Sequence, residues 1–174
     1  MISVSDQPSE DLPTLTVQLA GRENLWGKTK EMFLQTEQLA RNYDWVLKAD
    51  DDTFIFMENL KAMLSHFNSS SALIAGALWR CRGNGDCLDW EDKSRSEQVY
   101  MSGGAGYVLS REAVRRFREG QKTSCRPGDL GPEDVEMSRC LQRLGASFID
   151  TRDSEGRWGG DNRNITDHTT TTVL

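Results

Sequence analysis

Short apolar segments alternate with amphipathic segments along most of this 174-residue chain, and this order restricts the fold more than any other feature. In four regions apolar residues recur every three or four positions, which predicts helices. These regions are 25–40, 57–67, a segment beginning after Ser110, and 133–144. Between them lie apolar stretches, predicted as strands, at 15–19, 45–47, 72–78, 107–109 and 147–150. The order predicts an α/β domain with an open, mostly parallel sheet and flanking helices.

Composition and length narrow the class of protein. Lys and Arg number 21 against 27 Asp and Glu, a formal charge of −6, which argues against a general nucleic-acid binder. We find no apolar run near the roughly 18 residues of a membrane helix, and residues 1–13 lack the features of a signal peptide. We expect a flexible polar segment at 1–11, one domain at 12–153, and a low-complexity tail at 154–174.

The cysteines bear on the cellular compartment. They are Cys81, Cys87, Cys125 and Cys140, and their spacing does not match the paired C-x2-C of zinc sites. Four cysteines allow three pairings, and local loop closure favours Cys81–Cys87 and Cys125–Cys140. Four reduced thiols are the alternative. Glycosylation sequons begin at Asn68 and Asn164, and together with the cysteines they favour the lumen of the secretory pathway.

Three consecutive acids, Asp50, Asp51 and Asp52, begin three positions after the apolar run at 45–47. Adjacent carboxylates repel one another unless a cation neutralises them. In α/β sheets ligands bind at the carboxyl ends of strands, and oxygen ligands suit Mg²⁺ or Mn²⁺, which often also hold substrate phosphates. The pattern favours a nucleotide diphosphate bound through a metal, and a solvated acidic turn or helix cap before Thr53 is the alternative.

Two further motifs are candidates for the same site. The segment 101–107 (MSGGAGY) precedes a strand, and its glycines either allow a ligand to approach the backbone or form a tight turn. Glu133 and Asp134 begin a helix after Pro132, where the helix dipole stabilises carboxylates. They are interpreted as a candidate general base for a hydroxyl nucleophile or as an ordinary helix start.

Three stretches together carry a family resemblance: 44–54 (DWVLKADDDTF), 100–110 (YMSGGAGYVLS), and 132–135 (PEDV) followed by 139–141 (RCL). They resemble the core-1 β1,3-galactosyltransferases, within the larger inverting β1,3-glycosyltransferase family that includes Fringe. The segment 25–30 (LWGKTK) is similar to the family's helix before the metal-binding strand. The resemblance covers about residues 15–153.

The resemblance implies a nucleotide-sugar-dependent glycosyltransferase A-type fold and transfer of galactose from UDP-galactose. The acceptor would be the 3-hydroxyl of N-acetylgalactosamine on Ser or Thr of a glycoprotein, and the metal would be Mn²⁺. By position, Asp50 and Asp52 would bind the metal, with Asp52 the more direct ligand. Asp134 would be the base, with Glu133 second. Asp51, Gly103, Gly104 and Tyr107 would line the donor and acceptor region, and Cys125–Cys140 matches a family disulfide.

The resemblance also implies a Golgi enzyme on the lumenal side, held by a membrane anchor not contained in this chain. It is compatible with association into a homodimer. The family's first βα unit and its later histidine-containing stretch have no counterpart here, so we expect a partial catalytic domain that is inactive in isolation. Two alternatives are a non-catalytic chaperone-like or glycan-binding relative and a Fringe-like β1,3-N-acetylglucosaminyltransferase. The retained acids at 50–52, 133 and 134 favour an enzyme.

Overall fold

The computed structural model describes residues 3–5, 14–17, 19, 21–50, 52–80 and 99–151. The helices in these ranges are α1 (Leu25–Ala40), α2 (Met57–Leu64), α3 (Arg111–Ser124) and α4 (Glu133–Arg143). The strands are β1 (Ser3–Ser5), β2 (Thr14–Thr16), β3 (Trp45–Lys48), β4 (Leu73–Gly76), β5 (Leu78–Arg80), β6 (Val99–Met101), β7 (Tyr107–Ser110) and β8 (Ser147–Asp150). A short 3₁₀ turn, Arg22–Asn24, leads into α1.

The main sheet has four strands in the order β3-β7-β4-β8. Strand β7 is antiparallel to both β3 and β4, whereas β4 and β8 are parallel. Strands β3, β4 and β8 thus run in one direction, but only one of the three pairings in this sheet is parallel. The mostly parallel sheet predicted from the sequence is not confirmed; the described sheet is mixed.

The reversal of β7 has a physical cause in the connection from β4. Parallel neighbours require a crossover connection, usually a helix. Here the chain passes instead through β5 and β6, which pair antiparallel with Trp79 opposite Tyr100. Each of these strands has three residues, too short for a periodic pattern. The Arg, Gly, Asp, Lys and Ser content of residues 80–97 predicts an exposed loop there. Residues 81–98 lie outside the described residues, so that loop stays a prediction.

Two apolar clusters cover the two faces of the sheet, as predicted for flanking helices. Successive strand residues point to opposite faces, so Ile74 and Leu109 join one cluster while Ala75 and Val108 join the other. The first cluster includes residues of α1, α3 and α4, and the second includes residues of α2. The sheet is therefore enclosed between helices on both faces, and the ends of its strands remain as places for a site.

Local signals in the sequence set most helix ends. Ser110 caps α3 as predicted, since its Oγ accepts a hydrogen bond from the amide of Ala113 at 3.1 Å. Gly145, with φ of 75°, follows the end of α4, where a glycine in this conformation commonly ends a helix. Helix α2 ends earlier than predicted, because the amides of His66 and Phe67 bond three residues back, and such tight turns rarely continue.

The chain before α1 contains a strand that the sequence did not indicate. Ser3–Ser5, within the segment predicted to be flexible, pairs in parallel with Thr14–Thr16. Polar residues gave no strand signal there. The predicted tail at 154–174 lies outside the described residues. None of the described helices has the length and apolar character needed to cross a bilayer.

One predicted disulfide is confirmed. Cys125 and Cys140 are bonded, with Cα atoms 4.5 Å apart, and the bond joins the segment before α4 to the buried face of that helix. Cys81 and Cys87 lie outside the described residues, so their pairing stays a prediction.

Candidate functional site

The acidic turn directly follows β3. Asp50 is half-buried and Asp52 is exposed, and the amide of Thr53 donates to the carbonyl of Asp50 at 3.2 Å, which closes the turn. The hydroxyl of Thr53 donates to the carbonyl of Gly104 at 2.8 Å. This bond ties the acidic turn to the glycine segment, 51 residues away in sequence. Asp51 lies outside the described residues.

The antiparallel pairing of β3 with β7 brings the glycine segment to this turn. Lys48 at the end of β3 is opposite Tyr107 at the start of β7. Residues that follow β3 and residues that precede β7 therefore meet at the same edge of the sheet. A parallel β7 would have placed the glycines at the opposite edge, so the reversed strand is what assembles the site.

The glycine segment forms a turn that packs closely against its neighbours. The amide of Gly106 donates to the carbonyl of Gly103 at 3.0 Å, and Gly106 has φ of 78°, a conformation that favours glycine. Gly103 is buried and Gly104 is exposed. The predicted tight turn is thus present, and of these two glycines Gly104 is the one exposed to solvent.

The first two residues of α4 differ in environment. Asp134 is half-buried, and its Oδ2 accepts from the amide of Gly103 at 3.1 Å. Glu133 is only 7% exposed. Its Oε1 accepts from Lys48 at 2.8 Å, and its Oε2 accepts from the hydroxyls of Tyr107 at 3.1 Å and Thr29 at 3.4 Å. The Oδ1 of Asp134 also accepts, from the amide of Val135 at 2.8 Å. Both carboxylates are therefore hydrogen-bonded at both oxygens, and it is the greater exposure of Asp134 that favours it as the residue that can reach a substrate.

Lys48 connects the acidic turn to α4. Its Nζ lies 2.5 Å from Oδ1 of Asp50 and 2.8 Å from Oε1 of Glu133. Burial lowers the pKa of Lys48, but the carboxylates of Glu133 and Asp50 outweigh it and raise the pKa above its usual value. Lys48 therefore remains an ammonium ion that neutralises part of the acidic turn.

The same network affects the other two buried groups. Burial, and then the neighbouring carboxylate of Glu133, raise the pKa of Tyr107 well above its usual value, so its hydroxyl stays protonated and donates. Burial raises the pKa of Glu133, and the charge of Lys48 opposes this shift. The hydrogen bonds from two hydroxyls and an ammonium nevertheless keep every oxygen of Glu133 satisfied.

Tyr107 is enclosed below the candidate site. Its side chain is 1% exposed, and its hydroxyl contacts Glu133. Because Tyr107 begins a strand that is paired on both sides, its ring lies beneath the site. This placement does not support contact between Tyr107 and a ligand, and indicates support for Glu133 instead.

The carboxylates of the acidic turn fit a hard divalent cation in chemistry, although the described residues do not complete a site. Asp50 and Asp52 supply oxygen ligands of the kind that Mn²⁺ accepts. Among the residues that the structure describes, no group of three or more His, Cys, Asp or Glu side chains is placed to hold a metal. Asp50 is already bonded to Lys48, whereas Asp52 is exposed.

Sequence reasoning missed Lys48, Thr29 and Thr53, which hold this site together. One signal for Lys48 was present, since a charged residue ends the otherwise apolar run at 45–47 and leads into three acids. Thr29 sits in α1, 104 residues from Glu133, and no local pattern predicts that contact. The predicted glycosylation residue Asn68 is exposed on the turn after α2, and Asn164 lies outside the described residues.

Gly103, which contacts Asp134, and its neighbour Gly104 offer a matched pair of variants. A β-carbon at Gly103 would collide with Oε1 of Glu133, a buried oxygen held by Lys48, and would lie 3.2 Å from Cβ of Asp134. A β-carbon at Gly104 would meet nothing within 4 Å. We expect Gly103→Ala to lower the free energy of unfolding by about 1–3 kcal/mol, and Gly104→Ala to leave it nearly unchanged, in urea titrations. Equal effects of both variants would contradict the placement of the turn.

Comparison with known proteins gives a consistent family. A family model described as Fringe-like matches residues 14–153. Glycoprotein-N-acetylgalactosamine 3-beta-galactosyltransferase 1 of Xenopus laevis is 37% identical over 159 residues, covering 90% of this chain and 40% of the relative. Human beta-1,3-glucosyltransferase and mouse chondroitin sulfate synthase 3 are each 30% identical over 145 residues, 81% of this chain. These matches cover 26% and 16% of those two relatives, so the chain spans two-fifths or less of the length of all three.

Proposed function

Because this chain belongs to the Fringe-like family, we propose that it contributes the catalytic and metal-binding carboxylates of a metal-dependent β-1,3-glycosyltransferase. The finer proposal is transfer of galactose from UDP-galactose to the 3-hydroxyl of N-acetylgalactosamine on Ser or Thr of a glycoprotein. One observation supports the transferase proposal above the others. The exposed acidic turn and the half-buried Asp134 meet at one edge of the sheet through Gly103 and Gly104. The 37% sequence identity to a galactosyltransferase, over 90% of this chain, supports the choice of sugar.

The proposed chemistry is a single in-line displacement. Asp134 accepts the proton of the acceptor 3-hydroxyl, whose oxygen forms a bond to the anomeric carbon of galactose. The bond from that carbon to the diphosphate breaks, and UDP leaves with the electron pair, which inverts the α configuration to β. Asp52, assisted by Asp50, would hold Mn²⁺, which when bound stabilises the negative charge on the departing diphosphate.

The compartment is part of the proposal. Disulfides form and persist in oxidising compartments, and the Cys125–Cys140 bond supports a lumenal location. We propose the lumenal side of the Golgi membrane, where a glycoprotein acceptor meets a nucleotide sugar. Exposure of Asn68 on a turn agrees with such a location.

Calorimetry with Mn²⁺ and UDP tests the donor half of the proposal. We expect UDP to bind only with Mn²⁺ present, and Asp52→Asn to weaken that binding by roughly tenfold or more, because the amide removes a charged oxygen ligand. Glu58→Gln, which neutralises an exposed acid at the start of α2, is the control and should bind as the unaltered chain does. Binding that does not depend on Mn²⁺ would contradict the proposed metal site.

Turnover with a panel of nucleotide sugars tests the finer assignment. UDP-galactose, UDP-glucose and UDP-N-acetylglucosamine are each offered with an acceptor that bears O-linked N-acetylgalactosamine, and UDP release is measured. Preference for UDP-galactose supports the proposal. Preference for UDP-N-acetylglucosamine would favour the Fringe-like transferase, and Mn²⁺-dependent binding without turnover would favour a binding relative or a partial domain.

A further inference from the structure

Lys48 is a buried cation that connects the two halves of the candidate site. Its side chain is 11% exposed and contacts Asp50 on the acidic turn and Glu133 at the start of α4. These two partners are 83 residues apart in sequence, by subtraction of their numbers. The ring of Tyr107 lies 5.7 Å from the ammonium, which adds a cation–π contact. The side chain of Lys48 therefore cannot change position without breaking these contacts.

Glu133 holds Lys48 in that place. Its side chain is 8% exposed, and hydroxyls from α1 and β7 occupy the oxygen that faces away from Lys48. A buried charge that loses its partner is strongly destabilising, so Lys48 and Glu133 depend on each other. Asp50 differs from Glu133, since its side chain is 45% exposed and takes part in the site itself.

We propose that Lys48 and Glu133 are positioning residues, which fix Asp50 and the acidic turn relative to Asp134. Glu133 orients the ammonium, the ammonium orients the carboxylate of Asp50, and α4 carries both Glu133 and Asp134. Partners that orient a metal ligand typically influence affinity although they do not touch the metal. This inference rests on the proposed function for its effect on donor binding, but its structural part does not.

A double-variant comparison separates positioning from simple burial of an ion pair. Lys48→Met leaves Glu133 uncompensated, so we expect a lower Tm and about 10–100-fold weaker binding of UDP with Mn²⁺. Lys48→Met combined with Glu133→Gln removes both buried charges, so we expect Tm to recover. In the double variant the binding should remain weak, because nothing orients Asp50. Recovery of both Tm and binding would overturn the proposal.

The control is another largely buried lysine outside the site. Lys30 has a side chain that is 15% exposed and forms an ion pair with Asp129 at 3.4 Å. Lys30→Met should lower Tm without changing the affinity for UDP with Mn²⁺. If Lys30→Met weakened binding as much as Lys48→Met does, the effect would be one of general stability, and the positioning role would be excluded.

The pH profile distinguishes a positioning residue from a base. In Glu133→Gln the fall in turnover at low pH should stay in place, because Asp134 still takes the proton. In Asp134→Asn most of the activity should be lost at every pH. Loss of the limb in Glu133→Gln would assign the base to Glu133 and overturn the proposal.

Hydrogen exchange provides a readout that needs no donor. The amide of Thr53 is bonded across the acidic turn to the carbonyl of Asp50. In the double variant we expect this amide to exchange at least about tenfold faster than in the unaltered chain, while amides of β7 keep their protection. Unchanged exchange at Thr53 would overturn the positioning role. If the unaltered chain bound no UDP, the proposed function would fail, and this measurement would still decide the inference.

Discussion

Asp134→Asn is expected to lower the rate of sugar transfer by about 10²–10⁴-fold, with a modest loss of stability and little change in the affinity for UDP with Mn²⁺. Asp134 accepts from the amide of Gly103 at 3.1 Å and from the amide of Val135 at 2.8 Å, and the single carboxamide oxygen of asparagine can keep one of these two bonds. The carboxamide cannot take a proton from the acceptor hydroxyl, so the chemical step is affected far more than stability is. Steady-state rates of UDP release, with calorimetry on the same preparation, measure both quantities.

Glu136→Gln is a control for this variant within the same helix. Glu136 is buried in the first turn of α4 and pairs with Arg126 and Arg139 at 3.1 and 3.2 Å. Its loss should reduce stability more than turnover of the molecules that remain folded. If Asp134→Asn retained near-normal turnover, Asp134 would not be the base, and the assignment of this edge of the sheet as the acceptor side would be wrong.

The elements of this fold were accessible to sequence reasoning because their signals are local. Ser110 precedes a helix and caps it, and Gly145 follows a helix in a conformation that favours glycine. The alternation of Ile74 and Ala75 between two apolar clusters follows from the period of a strand. Sheet order is not local: the short strands β5 and β6 carry no period, and without them the reversal of β7 could not be foreseen.

The site was predicted in its parts and not in its connections. The acids at 50 and 52, the glycines at 103 and 104, and Asp134 were selected by residue type and by position at element ends. Their contacts depend on the pairing of Lys48 with Tyr107 and on the salt bridge between Lys48 and Glu133, which spans 85 residues. Pairs so distant arise from tertiary packing, which decides that Glu133 is enclosed while its neighbour Asp134 is accessible.

Removal of the Cys125–Cys140 disulfide should have the largest effect on stability among the variants outside the site. The two residues are 15 apart, and a loop of that length predicts a loss of about 3 kcal/mol in the free energy of unfolding. For a chain of this size each kcal/mol lowers Tm by roughly 2–4 °C. The double variant Cys125→Ala/Cys140→Ala, followed by urea and by thermal unfolding, measures the loss.

The site should withstand this loss better than the fold does. The segment between Cys125 and α4 is also held by the indole of Trp26, which donates to the carbonyl of Arg126 at 3.1 Å, and by the ion pair of Arg126 with Glu136. These bonds do not involve sulfur, so Asp134 should keep its place below the new Tm, with near-normal UDP binding.

Dithiothreitol provides the control: it should destabilise the unaltered chain far more than the double variant. If the double variant were as stable as the unaltered chain, the disulfide would not constrain the fold. If it stayed folded but lost UDP binding, the bond would belong to the site rather than to the scaffold beneath it.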